Sequence, residues 1–365
     1  MLDVALKLLK EFSKNSFKAY IVGGFVRDYI MGIESSDIDI TTNAKPKEIK
    51  KIFADSCLPN EDYGSVIVMM KGIRFEITTF RQESNYLDNR RPNEVKYIDD
   101  LYTDLLRRDF VINTICMDEN GDIIDYLGGQ NDIKNKVIRI VGDAHQKMND
   151  DCLRILRAVR FATILDFSLS EDIINAINAT KSNLTNLSLQ RKKDELDKIF
   201  NSANHNKGIK LLLDLGLDSE LELSNLDKVL KCDVNNSLTI WSMLDVRDKY
   251  PFNKNEQELI DNINKAMELN NLDPMALYKY GLYVNSCAGK VKGIDLKSIT
   301  ESYNNLIIKS RDEIDIDSDY IMNLLNREPG KYLKDIYDDV EREILYRRLG
   351  NDKESLSKYI LENYG

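Results

Sequence analysis

Asp37 and Asp39, one residue apart in DIDITT, follow a Gly23-Gly24 pair and precede an Arg-Arg-Asp-Phe segment at Arg107 to Phe110. Side chains of an extended strand alternate between faces, so the two aspartates project together while Ile38 and Ile40 can be buried on the other side. Two carboxylates a few ångströms apart repel unless a cation lies between them, and beside bound phosphates such a pair is a natural Mg²⁺ site. Gly23-Gly24 ends the short β-branched run KAYIV and opens FVRDYIM, which reads as a helix. That turn aims backbone amides of Gly23 and Gly24, together with Arg27, at a phosphate chain. Alone, Asp-x-Asp also fits a solvated strand end and Gly-Gly a tight connection; in this order, with RRDF downstream, they spell a nucleotidyl-transfer site. Glu76 in RFEITTF is either a third carboxylate at that site or a solvent-facing strand residue, and the pattern leaves both open.

Two further segments carry chemistry. In LLRRDFVINTICMD, Arg108 is assigned to a triphosphate, and Asp109 and Asn113, at i and i+4 of a helix, to a ribose. The rival reading is a capped amphipathic helix with Asp109 balancing Arg107 and Arg108 on the surface. In DDCLRILRAVRF, Asp151 and Arg154 are helical neighbours able to face one flat ligand. A carboxylate accepts from an exocyclic amine and a guanidinium donates to a ring nitrogen or carbonyl, so the pair admits cytosine and adenine. Uracil and guanine present a carbonyl where the amine should be, and are rejected. Without a ligand the same spacing is an ordinary intrahelical ion pair. Arg157 continues roughly that face, whereas Arg160 falls on the opposite side of a straight helix, and periodicity assigns it no role.

Positioning these residues calls for an α+β chain. Residues from about Phe17 to Asp118 alternate strand-like and helix-like patterns, with a hairpin in GSVIVMMKGIRFEITTF turning at Lys71-Gly72. The polar stretch from Arg81 to Val95, without period, is expected to be a mobile loop. ENGDIIDYLGGQNDIKNKVIRIVGD reads as a hinge with two turns and short strands, and from Asn149 onward the pattern is helical almost to the end. The expected division is a head at 1–143, a helical neck at 144–205 and a helical body and tail at 206–365.

Composition narrows the chemistry. At 365 residues the chain can hold two or more domains. Two histidines, His145 and His205, exclude HExxH peptidases and histidine-rich phosphohydrolases, and five scattered cysteines without C-x-x-C support neither zinc nor a disulfide framework. A net charge of −10 argues against indiscriminate nucleic-acid binding, while LRILRAVRF supplies a local basic stretch. The N-terminal MLDVALKLLKEF reads as an amphipathic helix without a signal pattern, and no membrane span occurs, so a cytoplasmic location and no membrane partner are expected.

Gly23-Gly24-x-x-Arg27-Asp28, Asp37-Ile-Asp39, Arg107-Arg108-Asp109-Phe110-x-x-Asn113, Gly128-Gly129 with Arg139-x-x-Gly142-Asp143, and Asp151-x-x-Arg154-x-x-Arg157-x-x-Arg160-Phe161 resemble the successive motifs of class II tRNA nucleotidyltransferases, the CCA-adding enzymes of the polymerase-beta superfamily. The likeness spans about residues 19 to 200, including Arg191 in LQRKKDELDKIF, which is similar to the last family motif. It implies a polymerase-beta-like nucleotidyltransferase head with a mixed sheet, followed by an all-α neck, body and tail. It also implies Mg²⁺ at Asp37 and Asp39, nucleotide contacts from Gly24, Arg27 and Arg108, and base reading by Asp151 and Arg154. Arg157 and Arg160 are then placed at the nucleotide by analogy. Asp150 stands where the family usually has glutamate, and Tyr126 where proline is common.

The expected activity is template-independent addition of C, C and A to the 3′ end of tRNA from CTP and ATP, releasing pyrophosphate. The enzymatic alternatives are a CC-adding or A-adding relative and a poly(A) polymerase; the non-enzymatic one is an inactive RNA-binding module. CC-adding relatives characteristically lack the loop that this chain keeps at Gln82 to Val95, with Asp88-x-Arg90 inside it, and poly(A) polymerases tend towards a basic extension where this tail is acidic.

Overall fold

β-branched segments in the first third of the chain build one sheet around the carboxylate strand. The computed structural model describes residues 1–35, 37–58, 65–87, 91–234 and 236–365. Strands β1 (Ala19–Val22), β2 (Ile38–Thr42), β3 (Cys57–Leu58), β4 (Ser65–Met70) and β5 (Ile73–Thr79) come first, followed by β6 (Arg81–Leu87) and β7 (Arg91–Tyr97). With β8 (Cys116–Met117) and β9 (Ile123–Ile124), the first five form a sheet of order β3-β4-β5-β2-β1-β8-β9. β2 and β5 run parallel and the other neighbours antiparallel, giving the mixed sheet the sequence implied. The β4–β5 hairpin turns at Lys71 and Gly72 with φ of 51° and 76°, the paired left-handed geometry of a two-residue turn.

Burial follows the alternation. Ile38 and Ile40 are 2% and 1% exposed and join Ile21, Phe75 and Ile77 in a core closed by Leu8, Leu9 and Phe12 of α1 (Leu2–Lys14). Asp37 and Asp39 are exposed. α2 (Gly24–Met31) adds Phe25 and Val26 to the same core, near α3 (Pro46–Ile52). On the other face Val22, Phe80 and Cys116 pack under Leu101 and Leu105 of α4 (Leu101–Leu106).

The stretch expected to be a mobile loop is instead a two-stranded ribbon, β6 paired with β7 from Arg81↔Tyr97 to Leu87↔Arg91. The antiparallel backbone ladder supplies order where side-chain periodicity gives no signal. Asp88 and Arg90 lie outside the described residues.

The hinge contains a helix that the turn-rich sequence hid, α5 (Gly129–Asn135), whose first turn is capped by Asp125: its carboxylate accepts N–H bonds from Gly128, Gly129 and Gln130. A Cβ on Gly129 would meet Ile115 Cγ1 at 2.6 Å and the Val111 carbonyl oxygen at 2.7 Å. Because backbone cannot yield as a side chain tip does, Gly129→Ala should cost about 2 kcal/mol. A melting midpoint equal to the parent's would contradict that close packing.

Beyond the hinge, β10 (Val137–Ile138) pairs in parallel with β11 (Ser168–Leu169), and α6 (Ala144–Asp150), α7 (Leu153–Ile164), α8 (Glu171–Thr180), α9 (Leu189–Phe200) and α10 (His205–Asp214) follow the helical pattern of the sequence. All of this belongs to one compact unit, Met1–Glu222; a second, Leu223–Gly365, is helical among its described residues and has its own core around Ile321, Ile336, Val340 and Ile344. The cysteines are free thiols, Cys116, Cys152 and Cys287 being buried. No described helix is long and apolar enough to cross a membrane.

Candidate active site

Gly23 leaves β1 with φ of +84°, a backbone that side chains disfavour, and opens α2. A Cβ there would lie 3.9 Å from Arg108 Nη1 and 4.0 Å from Asp39 Oδ2, so turn, guanidinium and carboxylate meet at one point; a Cβ on Gly24 would lie 3.7 Å from Arg27 Nη2.

Asp37, Asp39 and Glu76 line one cavity of about 400 Å³. Although Asp39 keeps access to solvent, its carboxyl is held above its usual range, first by the part of its hydration that its surroundings remove, then by the charge of Glu76 opposite it in the β2–β5 register, with Asp37 adding to the effect and Arg108 opposing it. Glu76 itself ion-pairs with Arg74 at 3.7 Å, both side chains about half exposed at 44% and 54%. Among the described residues no group of three His, Cys, Asp or Glu is arranged to hold a metal ion, and Glu76 lines the cavity beside Asp37 and Asp39.

A polar chain runs from α2 to α7. Arg27 Nη1 donates to Asn113 Oδ1 at 2.8 Å, Asn113 Nδ2 to Asp109 Oδ1 at 3.3 Å, and Asp109 Oδ2 pairs with Arg157 Nη2 at 2.6 Å. Burial raises the Asp109 carboxyl, but Arg157, the Phe110 N–H and Asn113 outweigh it and leave it below its usual range. Arg160 Nε pairs with Glu195 at 2.8 Å. Arg27, Arg157 and Arg160 lie 5.4, 5.9 and 4.3 Å from the centroid of the Phe161 ring.

Three expectations about local structure change. No α-helix runs through Arg107 to Asn113: α4 stops at Leu106, Phe110 bridges to Ile140, Val111 N–H donates to the Arg139 carbonyl, and Val111–Asn113 makes a single 3-10 turn. Asp109 and Asn113 still meet, and each also holds an arginine. The surface pairing of Asp109 with Arg107 and Arg108 is absent; both arginines turn to Asp104, at 2.8 and 3.5 Å. Asp151 is not helical: with φ −142° and ψ 99° it links α6 to α7, and its carboxylate caps Leu153 N–H at 3.2 Å. Arg154, 6% exposed, donates through Nη1 to the Lys147 carbonyl at 2.6 Å. Asp151 and Arg154 therefore neighbour one another across a helix start, with Arg191 4.0 Å from Asp151. Burial lifts the Asp151 carboxyl despite the pull of Arg154 and Arg191.

Asp104 escaped the sequence reading. Fully buried, it accepts from Thr41 Oγ1 on β2 at 3.1 Å, from the Arg81 N–H at the base of the ribbon at 3.1 Å, and from Arg107 and Arg108. Its three- and four-residue spacing to the two arginines was the available signal. Arg108 Nε, Arg157 Nε and Arg191 Nη1 are buried without an acceptor among the described residues, and a polyanion would supply them.

Comparison with known proteins identifies the family. Residues 19–139 match a family model described as the poly A polymerase head domain, and residues 241–360 one described as tRNA nucleotidyltransferase domain 2. A CCA-adding enzyme of Ligilactobacillus salivarius is 33% identical, covering 98% of this chain and 96% of its own length; one of Staphylococcus haemolyticus is 31% identical over 100% and 98%. The crystal structure of the Bacillus stearothermophilus CCA-adding enzyme in complex with CTP aligns with a TM-score of 0.87 at 26% identity, covering 98% of this chain and 96% of that one. The Thermotoga maritima enzyme complexed with tRNA shares the fold, with a TM-score of 0.72 at 21% identity. With one third of its residues identical to such a relative over nearly the full length of both, this chain belongs to the CCA-adding enzymes, the class II tRNA nucleotidyltransferases.

Proposed function

We propose that this protein adds C, C and A to the 3′ end of tRNA from CTP and ATP without a nucleic-acid template, releasing pyrophosphate, and that it works in the cytoplasm. The observation that carries the reading is the convergence of Gly23, Asp39 and Arg108 within about 4 Å at the start of α2, beside a layer of arginines with unsatisfied donors. Asp37 and Asp39 are the candidate Mg²⁺ ligands: two oxygen donors on one face, with the Asp39 carboxyl lifted by lost hydration, then by the charge of Glu76 and less by that of Asp37, form a site that a hard cation relieves. Mg²⁺ bound there supplies positive charge that favours the primer 3′-alkoxide and offsets charge on the triphosphate.

The chain's own groups do the rest. The Gly23-Gly24 amides, Arg27 and Arg108 hold the triphosphate, and charge-assisted N–H bonds in a low-dielectric site steady the charge that builds on the leaving pyrophosphate. Asp109 and Asn113 are assigned to the ribose side, where they also lock Arg27 and Arg157 in place. Asp151 and Arg154 read the base edge, and Arg157 and Arg160, stacked about Phe161, close the nucleotide side. The β6–β7 ribbon, present where CC-adding relatives lack a loop, favours CCA addition over CC addition.

Glu76→Gln should raise the Mg²⁺ concentration for half-maximal activity by about threefold, the effect of removing one partly screened neighbouring charge. A loss as complete as that from removing Asp39 would make Glu76 a ligand. The function itself is tested by offering a tRNA transcript that ends before CCA each nucleoside triphosphate singly. CTP alone should extend it; extension by UTP or GTP at a matching rate would contradict the reading.

A further inference from the structure

The Lys147 carbonyl, in α6, accepts both from Arg154 Nη1 at 2.6 Å and from the Asp151 backbone N–H at 3.2 Å. Its ammonium reaches the other way and donates to the Leu106 carbonyl at 2.7 Å. Leu106 is the last residue of α4, and Arg107 and Arg108 follow it directly. One residue therefore anchors both members of the base-reading pair through its peptide group and fastens itself through its side chain to the segment that delivers the triphosphate arginine.

We propose that Lys147 is a positioning residue for nucleotide selection: its ammonium fixes the distance between Arg108, on the phosphates, and Asp151 with Arg154, on the base. The inference rests on the base-reading role given above to that pair. A hydrogen-bond pattern rejects the wrong base only when donor and acceptor are held within about half an ångström of their places. α6 is a seven-residue helix, and nothing in its length alone resists a small slide past α4. The ammonium-to-carbonyl bond does resist it, because a charge-assisted bond is roughly twice as strong as a neutral one.

The same anchor carries a pH dependence. Lys147 lies among Arg154, Asp150, Glu83 and Arg107, and burial, seconded by Arg154, presses its pKa down to about 8. Its folded pKa being lowered, the charged anchor is complete below that value and is lost as pH rises through it.

The test is calorimetric measurement of CTP and UTP affinities for the full chain, as parent, K147M and K147R, at pH 7 and pH 8.5. K147M should lose about tenfold of the preference for CTP over UTP at pH 7 while K147R keeps it, a change of about 1.4 kcal/mol. The parent's preference should fall between pH 7 and pH 8.5 and that of K147R should not, and this comparison cancels any titration of the nucleotide. A K147M protein with the parent's preference overturns the proposal, as does a parent whose preference is flat with pH. If K147M fails to fold, the pH comparison of parent and K147R decides alone. Binding is read rather than extension, so a parent that prefers CTP yet extends no tRNA would remove the CCA-adding reading and leave the role of Lys147 standing.

Discussion

Asp39→Ala and Asp37→Ala should each abolish nucleotide transfer, by a factor on the order of 10³ or more, since each removes one of the two candidate Mg²⁺ ligands. The fold should survive. Asp37 and Asp39 are exposed, and the neighbouring Ile38 and Ile40 that hold β2 in the core are untouched. The sign of the stability change is informative. The Asp39 carboxyl is raised in the folded protein, so its ionised form is a cost of folding when no cation is bound. That cost is absent while the group is protonated and grows as pH rises from the ordinary carboxyl range towards the folded pKa. Above that window, Asp39→Asn in chelator-treated protein should therefore melt at or above the parent's temperature. Mg²⁺ should then raise the melting point of the parent and not of the variant. Activity of either alanine variant within tenfold of the parent, or equal Mg²⁺ stabilisation of parent and variant, would exclude this pair as the metal site.

Arg154→Ala has the second largest expected effect, on selectivity more than on rate. A site built around hydrogen bonds rejects an analogue lacking the right pattern by about 10⁴-fold or more, whereas one relying on shape alone manages roughly 10²-fold. Removing the guanidinium should thus open the site to UTP and GTP, bringing discrimination down by about 10²-fold. Arg154 is 6% exposed and tied to the Lys147 carbonyl, so its truncation also frees the α6–α7 link. Asp151→Asn provides the cleaner companion. An amide keeps the shape while offering both a donor and an acceptor, so it should admit uracil and leave the melting temperature nearly unchanged. Competition assays with paired nucleotides give the ratios; C and A preferred to the parent's degree in both variants would rule out base reading by these residues.

The parts of this molecule that rest on local rules were legible in the sequence. Alternation at Ile38 to Ile40, the paired glycine-type turn at Lys71-Gly72 and the helical periods of α7, α9 and α10 all follow from spacing alone. What escaped depends on long-range partners. Arg107 to Asn113 has helical composition, yet pairing with Arg139 and Ile140 draws it out of an α-helix and leaves one 3-10 turn at Val111–Asn113. The ribbon from Arg81 to Tyr97 takes its order from cross-strand backbone bonds that no one-strand pattern records. Asp104 looks like one more acid on a helix surface until Thr41 and the Arg81 N–H close around it. The family and its reaction were readable because identity and order of residues carry them; the connections that hold those residues in register had to be seen.

The most direct measurement is a gel-resolved extension of three tRNA transcripts, ending before CCA, after C and after CC, each incubated with CTP plus ATP in Mg²⁺. All three should grow to one common CCA end and stop there. A halt at CC, growth of the CC-ended transcript alone, an adenylate ladder beyond the third nucleotide, or no extension would each contradict CCA addition by this chain.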